Sequence, residues 1–522
     1  MGVDVSAAPQ TAQAAPAPSL TRRASLTAVA SLLDYAAKLG VGLVVTPVVL
    51  SGLGRSLYGI WEMLLQLVGY ITAADGRPTD ALRLVIASRQ GIDDAAARRR
   101  RVGAALVVWT LFLPLVAAVG LVVVWVAPTL TRATPQDQAV VRLAAGLLVL
   151  SFLAATLAAV PEAVLRGMNL GYRRMGWQAS LSIVGGALLV FAVSAGLGLP
   201  GLAGAQVLLF ALTGLCFWML ARRYVPGFGA ARPARGEVRH LVGMSAWLAA
   251  GDVIAKLVLA SDVVILGAIV SPAVVTTYVL TGYAARTAVG IFGFTVSAAM
   301  PGLGGLMGED QHDRAAALRR ELLVLTWLFA ISVGATVLAW NPSFVRLWVG
   351  SENYAGAGVN LLIVCIMTQT MFIRSDAYLI DVALQPRFRV MVGAGAAIAT
   401  IATAIPLART LGIVGLCLGI LIGRTAQSIA YPLIAARCLR RPRGTALPWR
   451  RLARPLVATA VLFAGAAAVG AQVTAPGWVA WGAGVAVTLA ATPLLALTTG
   501  LPAPTRHAVA GRVRAIVRSL RG

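Results

Sequence analysis

Asp34-Tyr35-Ala36-Ala37-Lys38-Leu39 recurs 218 residues later as Asp252-Val253-Ile254-Ala255-Lys256-Leu257, and Lys38 and Lys256 are the only lysines in the chain. Two more landmarks hold nearly the same register. Tyr58 corresponds to Tyr278 at an offset of 220, and DDAAARRR from Asp93 corresponds to DRAAALRR from Asp313 at that same offset. Three matches in one register mark an internal duplication.

Each copy of the repeat is dominated by uncharged apolar runs of about 18 to 25 residues, the length needed to cross a hydrocarbon core. Of the 522 residues, 59% are hydrophobic and 12% are charged. The mean hydropathy of +0.83 agrees with lipid as the main solvent. Spans are expected near 27–50, 57–74, 103–126, 143–161, 177–197, 201–221, 241–268, 273–299, 322–341, 359–380, 390–408, 411–436, 455–474 and 477–499. Six spans per copy is an even number, so both copies enter the bilayer in the same sense, related by a pseudo-two-fold along its normal. The expected fold is an all-α polytopic membrane protein of about 14 transmembrane helices, with two six-helix lobes and two C-terminal helices. Its parts are a disordered cytoplasmic tail (1–24), an N-terminal lobe (25–222), a cytoplasmic linker (223–240), a C-terminal lobe (241–437), a basic loop (438–454), an extra helix pair (455–499) and a basic tail (500–522).

Loop charge tests the span count. Alternate loops and the two tails carry 34 of the 44 basic residues, whereas the opposite loops carry only Arg55, Arg132, Arg142, Arg346 and Arg409. By the positive-inside rule both termini are cytoplasmic. The net charge of +25 is therefore spread over many loops and leaves no contiguous basic face for nucleic acid, so anionic membrane lipids are the nearer partner. Cys216, Cys365, Cys417 and Cys438 lack the paired spacing of a metal clamp or disulfide framework. The first 24 residues lack the apolar core of a signal peptide, and Met1-Gly2-Val3-Asp4-Val5-Ser6 is too short a match to argue for myristoylation.

The first hairpin, TPVVLSGLGRSLYGIWEMLLQLVGYI from Thr46, and SDVVILGAIVSPAVVTTYVLTGYAARTAVGIFGFTVSAAMPGLGGL from Ser261 resemble a known family. It is the polysaccharide transporter (O-antigen or lipid-linked oligosaccharide flippase) family of the multidrug/oligosaccharidyl-lipid/polysaccharide exporter superfamily. The resemblance implies two lobes in a V and a cavity between them. It also implies translocation of undecaprenyl-pyrophosphate-linked sugars to the outer leaflet of a bacterial cytoplasmic (inner) membrane, for lipopolysaccharide O-antigen or exopolysaccharide synthesis. Polysaccharide-assembly proteins become candidate partners. Asp75-Gly76-Arg77-Pro78-Thr79-Asp80 departs from the apolar-glycine exit of relatives, so the inner gate is expected to differ.

Five basic residues remain inside the spans: Lys38, Lys256, Arg286, Arg374 and Arg424. A charge at bilayer depth costs about 2.5 to 3.5 kcal/mol on insertion scales and persists where it faces protein or a wet cavity. Lys38, Lys256, Arg286 and Arg424 are the candidate site for a pyrophosphate or acidic sugar, with Arg374 nearer the cytoplasmic mouth, because guanidinium forks match phosphate oxygens. Asp34 and Asp252 each precede a lysine by one turn, so the Asp/Lys pairs read either as a charged lining or as structural bridges. Asp34, Glu62, Asp252 and Asp262 are candidates to bind H⁺ or Na⁺ as a coupling ion, or else to balance nearby bases. No other cofactor and no metal is expected.

Thr46-Pro47 and Ile405-Pro406 are expected to kink their helices. Trp109, Trp125, Trp340, Trp348 and Trp478 near span ends read as interfacial belts. A phosphate-cradling GxxxxGK[ST] loop is missing, since both lysines follow alanine. An enzyme such as a membrane glycosyltransferase or polysaccharide polymerase needs a catalytic outer loop, and the longest one, about 341–358, is too small for such a domain. His240, His312 and His507 have no partners spaced for metal or triad chemistry. Within transporters, a lipid II flippase and an ion-coupled multidrug exporter are the alternatives, and the five intramembrane bases favour an anionic substrate.

Overall fold

A computed structural model of the chain describes residues 20–72, 74–88, 95–168, 170–245, 261–383, 386–440, 449–502 and 506. The N-terminal part comprises α1 (Leu20–Ile71), α2 (Pro78–Ser88), α3 (Ala95–Leu130), α4 (Gln138–Gly167), α5 (Gly171–Ser194) and α6 (Gly198–Tyr224). After the undescribed stretch 246–260 come α7 (Ser261–Ile269), α8 (Pro272–Thr281), α9 (Tyr283–Gly308), α10 (His312–Val349), α11 (Ala357–Val382), α12 (Pro386–Gly423) and α13 (Thr425–Cys438). The chain continues through α14 (Trp449–Gln472) and α15 (Trp478–Gly500), with no strand among the described residues.

Ten helical segments among the described residues are long and apolar enough to cross a membrane. Two of them hold two spans each. Helix α1 breaks at Gly54 (φ 76°, ψ 168°), and α12 breaks at Gly412 (φ 58°, ψ −130°). Both conformations suit glycine and strain any residue with a Cβ. Helices α8 and α9 occupy the stretch expected as the eighth span, and α7 lies at the end of the stretch expected as the seventh, of which 246–260 fall outside the described residues.

The kinks expected at Pro47 and Pro406 do not appear as breaks: both prolines lie inside helix, and the sharp turns fall on the glycines instead. A bilayer leaves a backbone few other ways to satisfy its polar groups, so helix continues through proline. The outer loop placed at 341–358 is also shorter than expected. Helix α10 runs on to Val349 because Phe344, Val345 and Trp348 bury one face of the added turns. Asn341 holds the stretch by donating from Nδ2 to the Thr281 carbonyl at 2.9 Å and to Asn360 Oδ1 at 2.8 Å. Helix α2 lies where only a loop was expected. Its cues are Pro78 at the first turn, Asp80 behind it, and Leu82 and Ile86 four apart and buried.

The cores define two lobes. At the arginine-rich end the N-terminal lobe packs Leu82, Ile86, Val102, Val164 and Phe217 among themselves, and the C-terminal lobe separately packs Leu303, Ala315, Leu379 and Ala435. At the arginine-poor end one core spans both lobes, joining Val49, Tyr58, Trp61 and Leu64 to Leu280, Phe344, Val345 and Trp348. Hydrogen bonds repeat this division. Arg55 Nη2 donates to Thr277 Oγ1 at 2.8 Å, Thr276 Oγ1 donates to the Arg55 carbonyl at 2.6 Å, and Arg132 Nη1 donates to the Val270 carbonyl at 2.9 Å. Gly59 is required there, since a Cβ would overlap the Pro272 carbonyl oxygen. At the opposite end the named bonds stay within a lobe: Arg98 Nη2 donates to the Pro226 carbonyl at 2.5 Å, and Arg319 Nε to Asp376 Oδ1 at 2.8 Å. The lobes therefore meet most extensively at the arginine-poor end, and their cores separate into a cleft toward the arginine-rich end, bridged by Tyr35 of α1, whose hydroxyl donates to the Thr287 carbonyl of α9.

Three of the tryptophans assigned to interfacial belts fasten helices instead. Trp348 is buried, stacks on Phe344 with centroids 5.1 Å apart, and donates to the Leu43 carbonyl of the other lobe at 2.7 Å. Trp340 Nε1 donates to Thr488 Oγ1 at 2.8 Å, which docks α15 on α10, and Trp109 Nε1 donates to Thr156 Oγ1 at 3.0 Å between α3 and α4. Trp125 and Trp478 remain exposed, at 73% and 49%. The extra pair α14 and α15 packs on α10, where Phe463 faces Gly334 and Trp327 Nε1 donates to Thr459 Oγ1 at 3.1 Å.

Candidate functional site

Arg286 sits one turn past the interruption at Gly282, where the eighth span passes from α8 to α9. Its guanidinium lies over the Tyr278 ring, 5.0 Å from the centroid. Tyr278 Oη in turn donates to Asp262 Oδ2 at 2.8 Å, so the ring joins the base of α9 to the carboxylate of α7. Glu62 from α1 is the second carboxylate whose charge acts on Arg286, and Tyr58, one turn before Glu62, couples to it. Arg286 nevertheless keeps an exposed surface and is not enclosed in packed core.

Arg424 marks a second interruption, between α12 and α13, and is buried. Its Nη1 donates to Thr370 Oγ1 of α11 at 2.9 Å, and the charges of Asp262 and Arg374 both act on it. Arg374, on α11, reaches across to the eighth span: a Cβ on Gly293 would meet its Nη1 at 3.7 Å. The acids near Arg374 in sequence have other partners, since Asp376 pairs with Arg319 and Asp381 with Arg389.

On the N-terminal lobe, Lys38 Nζ pairs with Asp34 Oδ2 at 2.9 Å, and the lysine side chain is 51% exposed. It lies between Tyr35 and Gly42 on the face of α1 that meets α9: Tyr35 Oη donates to the Thr287 carbonyl at 2.9 Å, and Gly42 abuts the Tyr283 hydroxyl. Lys38 thus lines the seam between lobes, with Thr287 next to Arg286. Asp252 and Lys256 fall outside the described residues.

Helical rise orders these groups by depth. Counting from the arginine-poor ends of their helices, Glu62 and Asp262 lie roughly 11 to 12 Å in, Arg424, Arg286 and Lys38 roughly 18 to 23 Å, and Arg374 roughly 26 Å. Glu62 and Asp262 occupy the closed end of the cleft and the three arginines lie toward its opening, while Asp34 lies nearer the opening still, roughly 29 Å in, paired with Lys38. Tyr278 and Thr370, which hold the two arginines, were not singled out as site residues. Tyr278 carried a signal as the repeat partner of Tyr58, whereas a lone threonine on an apolar helix carries none. No cluster of three metal-ligating side chains occurs among the described residues.

A profile described as polysaccharide biosynthesis protein matches residues 84–355. No curated protein matches the chain. Among solved structures, the inward-facing conformation of a multidrug resistance MATE family transporter of the MOP superfamily is similar with a TM-score of 0.64 and 16% identity, over 80% of this chain and 97% of that one. The lipid II flippase MurJ in an inward closed conformation is similar with a TM-score of 0.66 and 10% identity, over 90% of this chain and 97% of that one. A eukaryotic MATE transporter gives 0.60 and 16%, over 82% and 99%. At these identities the likeness establishes the two-lobed fold.

Proposed function

The chain belongs to the polysaccharide biosynthesis protein family, and from that premise we propose that it is a flippase for a polyprenyl-pyrophosphate-linked oligosaccharide, moving it from the inner to the outer leaflet by alternating access. The observation that carries this reading is the depth order of charge in the cleft, with Arg374, Arg286 and Arg424 lying between the open end and Glu62 and Asp262, and with the one site acid nearer the opening, Asp34, paired to Lys38. A diphosphate with no fixed cation of its own needs such a series in a medium of low dielectric. A cationic drug would be repelled by the same series.

Orientation follows from the loop arginines. The arginine-rich end is cytoplasmic, so the conformation described is open inward and sealed outward, the state that loads substrate from the inner leaflet. The membrane is the bacterial cytoplasmic membrane, and the product feeds cell-surface polysaccharide synthesis. Flux then requires the outer seam around Gly59, Arg55 and Trp348 to part while the cytoplasmic ends close. We propose Glu62 and Asp262 as the coupling carboxylates: taking up a proton or Na⁺ leaves Arg286 without its counter-charges and strengthens its hold on the anionic substrate, and losing that ion restores them and weakens the hold. Asp34 serves as the counter-charge of Lys38. The likeness to transporters and to a flippase supports a transporter rather than a membrane glycosyltransferase or polymerase.

A second reading is favoured by one observation: the likeness to the lipid II flippase extends over 90% of the chain, against 80% and 82% for the two MATE transporters. Lipid II is also a polyprenyl-linked diphosphate, so both readings use the same arginines. Purified protein in vesicles separates them. Translocation of fluorescent undecaprenyl-pyrophosphate oligosaccharide with no translocation of lipid II is expected. Lipid II flux alone moves the assignment to the second reading, and uptake of a cationic dye with neither lipid overturns both.

A further inference from the structure

On the N-terminal lobe, away from the cleft, an open groove of 430 Å³ runs between α4 and α6. Ala158, Ala211 and Gly214 form its floor, and Leu157, Phe210 and Trp218 its sides. The side of α4 that meets the lobe interior carries Val141, Leu148 and Val164, buried, whereas the groove side continues the stripe Leu143, Leu150 and Leu157, which is 56%, 50% and 44% exposed. That stripe has no polar member, so the groove faces acyl chains. From Phe210 to Trp218 it covers roughly 12 Å of the arginine-rich half of the bilayer.

The groove ends beneath a cation. Arg222 stacks on the Trp218 ring with its guanidinium 3.8 Å from the centroid, and Arg223 and Arg173 both lie over Tyr224, at 5.6 Å and 4.2 Å. Among the described residues at this end of the lobe, Glu162 is engaged by Arg166 and Arg174, Glu237 by Arg100, Asp80 by Arg77 and Arg83, and Asp75 by the Arg77 N–H. Arg222 and Arg223 enter no ion pair among the described residues. An apolar slot that leads up to two guanidiniums without carboxylate partners has the complementarity of one molecule, a chain below and a phosphate above.

We infer that the α4–α6 groove is a binding site for an anionic phospholipid of the arginine-rich leaflet, its acyl chain in the groove and its headgroup phosphate on Arg222 and Arg223. The occupant is a bulk lipid and not the transported substrate, because the groove lies on the opposite side of α4 from the packed lobe interior and shares no residue with the interlobe cleft. The inference does not depend on which lipid-linked substrate the cleft carries.

Native mass spectrometry of the full chain released from bilayers of equal phosphatidylglycerol and phosphatidylcholine tests it. The wild type is expected to retain phosphatidylglycerol preferentially, and the double variant R222A/R223A to lose that preference by about 30-fold, as two interfacial arginines contribute. Ala211→Phe, which fills the floor and leaves both arginines, is expected to lower retention of phosphatidylglycerol with the melting temperature unchanged. If the double variant does not fold, Arg222→Gln with Arg223 intact replaces it, with a smaller loss expected. Equal retention of the two lipids by the wild type overturns the inference, as does undiminished preference in both groove variants. Retention of polyprenyl phosphate in place of phosphatidylglycerol overturns it in favour of a substrate chain.

Discussion

The two faces of the cleft descend from one duplicated sequence, yet they carry unequal charge. Among the described residues the N-terminal face presents Lys38 against Asp34 and Glu62, whereas the C-terminal face presents Arg286, Arg374 and Arg424 against Asp262. Under the proposed function, the difference would place the anion's main hold on the C-terminal lobe. Symmetry of fold thus coexists with asymmetry of chemistry, as alternating access requires when one lobe has to let go.

Arg286→Ala is the strongest way to break this comparison. It removes a charged donor from a recess of low dielectric, where such a bond contributes about 1.5 to 3 kcal/mol, so apparent affinity for the lipid-linked substrate should fall roughly 10- to 100-fold. Concentration-dependent flux in vesicles measures it, and Arg286→Lys should recover only part because it lacks the planar fork. An equal or larger loss on substituting Lys38 would reverse the assignment of the two faces.

The seam comes next. Gly59→Val forces a side chain onto the Pro272 carbonyl, and overpacking of this kind costs about 1 to 3 kcal/mol, which falls on the sealed state alone. The population should move toward the outward-open state by about tenfold, read as a shortened spin-label distance between the arginine-rich ends of the lobes. Trp348→Phe removes the indole donor to the Leu43 carbonyl and keeps most of the stacking on Phe344, so the same distance should shift by roughly fivefold in population, for the net worth of about 1 kcal/mol of one hydrogen bond. An unchanged distance in both variants would mean that the seam does not set the resting conformation.

The spans, the duplication and the intramembrane bases were legible because each is a one-dimensional signal: apolar run length, register and charge against an apolar background. The extension of α10 was hidden by Asn341-Pro342, a pair that ends helices in water, and only its packing against Thr281 and Asn360 shows why it does not do so here. Trp348 read as a belt residue because sequence gives its depth and not its azimuth. Sequence likewise sets Asp376 and Asp381 beside Arg374. The acids are near in sequence, yet Arg319 and Arg389 approach from other helices and take them.

Lys38 was prominent in the sequence as one of only two lysines, yet it should have the smallest effect. Its ammonium is half exposed and already neutralised by Asp34 one turn away, an exposed helical pair of a kind that contributes about 0.3 to 0.5 kcal/mol. Lys38→Ala should therefore lower substrate affinity by about twofold, and the double change with Asp34→Ala should bring it back toward the wild type, because the pair leaves as a neutral unit. Flux measured on the two single variants and the double variant forms a cycle that isolates the coupling. If Lys38→Ala abolishes binding and the double variant does not recover, the lysine touches the anion itself, and the N-terminal face is a second half of the site rather than its counterweight.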